Sequence, residues 1–143
     1  MYKLTSHTEL ELAHRLITSY AMKCQHLHGH RYEVFVTVSA DKLNEDNMIV
    51  DFKKLKEIIK QELDDKYDHG VILKEDDPLV DAFKNDKHTE RLHIVTENPT
   101  CEWMSKYWFY LLNDAFKREG LNIKMYSLKV FETSNNCCEY VED

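Results

Sequence analysis

Residues 24–40 read CQHLHGHRYEVFVTVSA, and two patterns overlap in them. From Arg31 to Ala40 the chain alternates, with Tyr32, Val34, Val36 and Val38 on one parity and Glu33, Phe35 and Thr37 on the other. That period of two is the mark of a half-buried strand. Just upstream, His28 and His30 flank Gly29. If the extended backbone begins early, both imidazoles share the face of Tyr32 and Val34, so one strand carries a core face and a polar, chemistry-bearing end.

Working outward, Leu4 to Leu16 keeps Leu10, Leu12 and His14 on one parity, which predicts a first strand with His14 turned inward. Asp41 to Asn47 is a polar turn. Phe52, Leu55, Ile58, Ile59 and Leu63 then recur at helical offsets, with Asp51 as N-cap. Tyr67 to Leu73 leaves that helix through Gly70, and Lys74 to Asn98 reads as mostly loop. Pro99 and Thr100 open a second helix that runs to about Glu119 and stops at Gly120. Lys124 to Thr133 and Cys138 to Val141 close the chain as two strands joined by a turn at Ser134, Asn135 and Asn136. The expected architecture is an α+β domain over residues 1–143, order ββααββ: a four-stranded antiparallel sheet with two helices on one face.

Bulk properties narrow the function. The chain is 143 residues long, enough for one core without disulfides. A formal charge of −7 argues against general nucleic-acid binding, which draws its affinity from lysines and arginines. The apolar stretch from Trp103 to Phe116 is interrupted by Ser105, Lys106, Asn113 and Asp114, so no membrane span is expected. The N-terminal residues lack the basic start and apolar middle of a secretory signal, which makes the cytoplasm the expected compartment, and the four cysteines are expected to be thiols.

Three of the eight histidines fall within five residues. His14, His28 and His30 make a ligand set of three neutral imidazoles with a fourth position open, as in catalytic zinc sites. An HxH pair can equally be an exposed turn, and Cys24, four residues upstream, would close the shell if it were a ligand. Asp68 and His69 set a carboxylate beside an imidazole in a Gly-containing loop, where the first can orient the second; most such dipeptides are surface. Cys24 would need a neighbouring imidazole to become a thiolate at neutral pH. Glu132 sits late in a strand among apolar residues and calls for a donor partner, such as a heterocycle with paired N–H groups, unless it faces water. Glu102 is in a first helical turn, where a carboxylate favours the helix dipole. His7, His26, His88, His93, Cys137 and Cys138 have no evident partner.

Taken together, AHRL at 13–16, CxxxHGH at 24–30, VDF at 50–52, DH at 68–69, PTxE at 99–102 and ET at 132–133 resemble the 6-pyruvoyl-tetrahydropterin synthase family, over nearly the whole chain and in order. The three residues between Cys24 and the HGH resemble its 6-carboxy-tetrahydropterin synthase branch, which serves 7-deazaguanine and queuosine synthesis. The resemblance implies a tunnelling fold (T-fold), with strands of several subunits joined into a barrel, a trimer doubled to a homohexamer, and active sites between subunits. It implies one Zn2+ per subunit on His14, His28 and His30, an acid/base relay of Cys24, Asp68 and His69, and a pterin ring held by Glu132 with Thr100 and Glu102. The implied lyase reaction converts 7,8-dihydroneopterin triphosphate to 6-carboxy-5,6,7,8-tetrahydropterin, acetaldehyde and triphosphate. Triphosphate elimination to the 6-pyruvoyl product, or a zinc-binding T-fold without turnover, are the alternatives. The stretch GVILKEDDPLV after Asp68-His69 departs from the short segment of many relatives. For the triphosphate, Arg15, Lys23 and Arg31 stand near the site in sequence, and nothing in the sequence selects among them.

Overall fold

The computed structural model describes residues 1–18 and 22–142. The four expected strands are present: β1 (Tyr2–His14), β2 (His28–Ala40), β5 (Lys124–Thr133) and β6 (Asn136–Val141). They pair antiparallel in the order β1-β2-β5-β6. β1 stops at His14 rather than Leu16, and β2 starts three residues earlier than Arg31, so that His14 pairs with His28 and Leu12 with His30. Extended backbone thus begins at the first ligand candidate of the HGH.

The sheet is larger than four antiparallel strands. It has six, in the order β4-β3-β1-β2-β5-β6, and it is mixed. β3 (Gly70–Lys74) lies parallel to β1, and β4 (Leu92–Val95) parallel to β3, with the short helix α3 (Leu79–Lys84) in their crossover. α3 and β4 occupy the stretch from Lys74 to Asn98 that reads as mostly loop, and β3 lies just before it, where the sequence reads as an exit from the helix and not as a strand. The reason is physical. A parallel strand covered on both sides is a short continuous apolar run with no alternation to find, and Ile72 and Leu73 are both buried.

Helix α1 (Phe52–Ile59) begins at Asp51, whose carboxylate accepts the Lys53 amide at 2.8 Å. It widens into a π-helical stretch, Lys60–Asp64, and ends in the turn α2, Asp65–Tyr67. The long helix α4 (Cys101–Arg118) is capped by the Thr100 hydroxyl and ends ahead of Gly120, which adopts a positive φ. Leu55, Ile58 and Leu63 from the first helical stretch meet Met104, Trp108 and Phe116 from α4 over Leu10, Val34, Val36 and Leu128 of the sheet. Each such side chain, fully removed from water, favours the fold by about 1.5–3 kcal/mol. The helices therefore cover one face of the sheet, the face that also carries His14, His28 and His30. No helix among the described residues is long and apolar enough to cross a membrane.

Candidate active site

At the open end of that covered face, β1 and β2 bring three imidazoles together: the ligand nitrogens of His14, His28 and His30 all lie within 4.8 Å of one another. Two neighbours fix the tautomers. His14 Nδ1 is 2.8 Å from the Pro99 carbonyl and His28 Nδ1 is 2.6 Å from the His26 carbonyl. A carbonyl cannot donate, so both Nδ1 atoms carry the hydrogens and both Nε2 atoms present lone pairs. Those lone pairs face each other at 3.2 Å. Two imidazole nitrogens on one tetrahedral zinc, at about 2.0–2.1 Å from it, stand about 3.3 Å apart. The third nitrogen, His30 Nε2, is buried and has no hydrogen-bond partner; its nearest charged neighbour is Glu132 at 3.6 Å. Repulsive lone pairs beside an orphaned nitrogen are what a bound cation would satisfy. The residues fit zinc.

The electrostatics agree. Burial pushes His14 down to about 4, helped by His28 and His30 and opposed by the Pro99 carbonyl. Burial also lowers His30, against Glu132. Neutral imidazoles are the ligand form. Tyr32, buried two residues further along β2, sets its hydroxyl 3.1 Å from His14 Nε2. Its phenol is raised well above the ordinary range by burial, then by Glu132, Cys101 and Cys24.

Because Pro99 holds His14 and the next residue caps α4, the histidine cluster adjoins the start of that helix. A cavity of about 310 Å³ opens there, lined by Leu16, Thr100, Glu102, Glu132, Cys101 and Cys138, among others. The size suits a small ligand. Thr100, Glu102 and Glu132, separate in sequence, thus share one wall. The Thr100 hydroxyl also accepts the Trp103 amide at 3.1 Å and so caps α4. Cys101 and Cys138 were not foreseen there. Cys101 gives its S–H to the Val130 carbonyl at 3.2 Å, and burial pushes its thiol up to about 12, so it is an inert wall rather than a nucleophile.

Cys24 is half-buried in a one-turn 3-10 helix, Lys23–Gln25, whose Cys24 carbonyl accepts the Leu16 amide at 2.8 Å. That bond ties the turn to the chain just beyond His14. Arg15 forms a bidentate pair with the buried Asp77 and is not open to a ligand. Arg31 pairs with Glu11 on the other side of the sheet.

Asp68 and His69 are also on that other side. His69 Nδ1 lies 2.8 Å from Asp68 Oδ2, and Asp68 Oδ1 accepts the Glu11 amide at 2.7 Å. Burial would raise Asp68, but the Glu11 amide, His69 and Arg91 outweigh it and hold the carboxyl below its ordinary value. The His69 side chain is 77% exposed and lines a groove with Glu11, Leu12, Ala13, Gly29, His30, Arg31, Gly70 and Val71. Along β1 and β2, Glu11, Ala13, Gly29 and Arg31 are opposite in parity to His14 and His28. Among the described residues no hydrogen bond or ring contact joins Asp68 or His69 to Cys24 or to the three histidines, although His69 and His30 border the same groove. The pair is built, but within one chain it is not delivered to the cluster. His69 holds φ at 64°, a conformation that costs a non-glycine residue about 1–3 kcal/mol and tends to persist at functional sites.

Comparisons with known proteins show the family and the fold. The family model for 6-pyruvoyl tetrahydropterin synthase matches residues 3–143. The chain is 32% identical over 137 residues to the 6-carboxy-5,6,7,8-tetrahydropterin synthase of Rickettsia felis, covering 94% of this chain and 96% of the relative. To the enzyme of the same name in Rickettsia bellii it is 34% identical over 138 residues, with 94% and 96% covered. Among solved structures, a protein from Wolinella succinogenes superposes with a TM-score of 0.83 at 21% identity, covering 99% of this chain and 98% of that one. The 6-pyruvoyl tetrahydropterin synthase of Caenorhabditis elegans gives 0.71 at 23% identity, covering 99% and 96%.

Proposed function

The chain belongs to the 6-pyruvoyl tetrahydropterin synthase family, and from that premise we propose that it converts 7,8-dihydroneopterin triphosphate and water to 6-carboxy-5,6,7,8-tetrahydropterin, acetaldehyde and triphosphate. The observation that carries the reading is the junction of the three-histidine cluster with the cavity walled by Thr100, Glu102 and Glu132. The curated relatives named for the carboxy product favour that branch over the pyruvoyl one.

In this reading His14, His28 and His30 hold zinc, which when bound supplies Lewis acidity that makes a coordinated hydroxyl easier to deprotonate. Glu132 accepts hydrogen bonds from the N–H edge of the pterin, an arrangement that satisfies a half-buried carboxylate otherwise short of donors. Thr100 and Glu102 border the same ring. This orients the side chain of the substrate toward the histidine cluster. Cys24, anchored beside the end of β1, takes a proton from the side chain. His69, oriented by Asp68, supports the thiolate and relays the proton. Since the pair faces away from the cluster of its own chain, it serves the site of a neighbouring copy, and the working unit is a homo-oligomer.

The test is turnover: zinc-loaded protein with 7,8-dihydroneopterin triphosphate, products identified by mass spectrometry and acetaldehyde trapped alongside. The expected result is 6-carboxy-tetrahydropterin with acetaldehyde. A 6-pyruvoyl product would refute the carboxy branch, and an inert protein with full zinc would refute catalysis of this kind.

A further inference from the structure

The segment that departs from the sequence expectation, β3 through β4, places one residue against both flanks of the Asp68–His69 pair. Arg91 Nη1 donates to three carbonyls at the end of the helical stretch before the pair: Asp64 at 3.4 Å, Asp65 at 2.8 Å and Asp68 at 2.9 Å. On the far flank, the Arg91 carbonyl accepts the Val71 amide at 3.0 Å. It also lies so close to Gly70 that a Cβ built there would stand 2.9 Å from it.

Between these two holds sits His69 in its left-handed conformation, with its amide on the Glu11 carbonyl at 2.6 Å. A left-handed non-glycine residue relaxes unless its surroundings over-determine it. The last carbonyls of a helix also lack intrahelical donors, so a guanidinium there satisfies several at once and suits the negative end of the dipole. All three contacts come from one guanidinium nitrogen, whose two N–H groups are shared among the oxygens, with Asp64 the most distant.

We propose that Arg91 is a positioning residue for the reaction: it staples the helix end to the start of β3 and thereby sets the direction in which His69 presents its imidazole. The 74–98 segment then has a job, since β4 exists to bring Arg91 to the pair from outside. The inference rests on the assignment of Asp68 and His69 to the acid/base relay. It does not require Arg91 to touch substrate.

The experiment compares Arg91→Ala, Arg91→Lys and His69→Ala in the full-length zinc-loaded protein. It reads kcat and KM for 7,8-dihydroneopterin triphosphate, metal content, and the folded fraction by circular dichroism. A misaimed catalytic group costs up to roughly 100-fold in rate, so R91A is expected to lose about 10- to 100-fold in kcat. KM should stay within about twofold and metal content should be unaltered. R91K, which keeps the charge on a shorter side chain, should fall between R91A and the native chain. A folded R91A with kcat within about twofold of native overturns the inference, as does a loss fully accounted for by less folded protein. Should R91A not fold, R91K decides on the same criteria, native kcat counting against the staple and a fall in kcat alone supporting it. Undiminished turnover in H69A would instead sink the relay on which the inference stands, a result separable from the others.

Discussion

The three glycines of this chain should respond to alanine in three different ways, and Gly70→Ala is the informative one. A Cβ at Gly70 would stand 2.7 Å from the Tyr67 carbonyl oxygen and 2.9 Å from that of Arg91. Both are backbone atoms, and the Arg91 oxygen is already bonded to the Val71 amide, so neither can swing aside as a side-chain end would. The strand must shift by several tenths of an ångström against its neighbours, and overpacking of that kind costs about 1–3 kcal/mol. With an unfolding entropy near 2.1 cal/mol/K per residue, the chain should lose about 3–10 °C in Tm. At Gly29 the nearest atom would be the Leu12 carbonyl oxygen at 3.4 Å, an ordinary contact, and alanine should change Tm by no more than about 2 °C. At Gly120 there is open space but φ is +68°, so alanine should cost about 1 kcal/mol through conformation alone. Calorimetric scans of the three variants under identical metal loading make the comparison. A Tm for Gly70→Ala equal to that of Gly29→Ala would refute the steric reasoning, because it would mean that β3 is free to move away from α2 and β4.

Other consequences can be checked with simpler assays. In chelator-treated protein, burial keeps His14 neutral down to about pH 4, whereas the unfolded chain takes up that proton near 6.5. The unfolded state therefore binds more protons between these values, and stability is full above pH 6.5 and declines toward pH 4, by at most about 3 kcal/mol. Denaturant titrations across that window should show the slope in the native chain and lose most of it in His14→Gln. Cys24→Ala should lower turnover by orders of magnitude while zinc stays near one per chain by atomic absorption; zinc leaving with the thiol would make Cys24 a ligand instead. Glu132→Gln should raise KM or the Kd for a pterin at least tenfold, about 1.4 kcal/mol, with metal content unchanged; unchanged affinity by calorimetry would remove Glu132 from the ring-binding wall.

How legible the molecule was in its sequence depends on what each element packs against. β1 and β2 have one face on the core and one outward, so Tyr32, Val34, Val36 and Val38 announce themselves by alternation. The same alternation places His14 and His30 on the inner face, and the cluster follows from it. Asp51 was readable as a cap because capping is local chemistry. β3 and β4 were not, since residues 70–73 form a short apolar run whose partners lie on other strands. Arg91 and Asp77 were invisible for a similar reason: each acts on backbone or side chains more than 20 residues away. The sharing of one cavity wall by Thr100, Glu102 and Glu132 was reached from family resemblance, not from any spacing. Cys101 and Cys138 had no signal at all, being ordinary residues that the meeting of α4 with β5 and β6 turns toward the cavity.

One sheet carries the histidine cluster on its inner side and the Asp68–His69 pair on its outer side, and that arrangement makes dilution a chemical variable. Under the proposed assignment an isolated chain keeps its cluster and its cavity yet has no relay, so catalysis per molecule should collapse below the concentration at which copies associate. It also lets damage be shared out: in a mixed assembly, a copy lacking His69 and a copy lacking Cys24 can each contribute the half that the other is missing. Two mutations in such a protein complement each other or not according to whether they strike opposite sides of a single β-sheet or the same one.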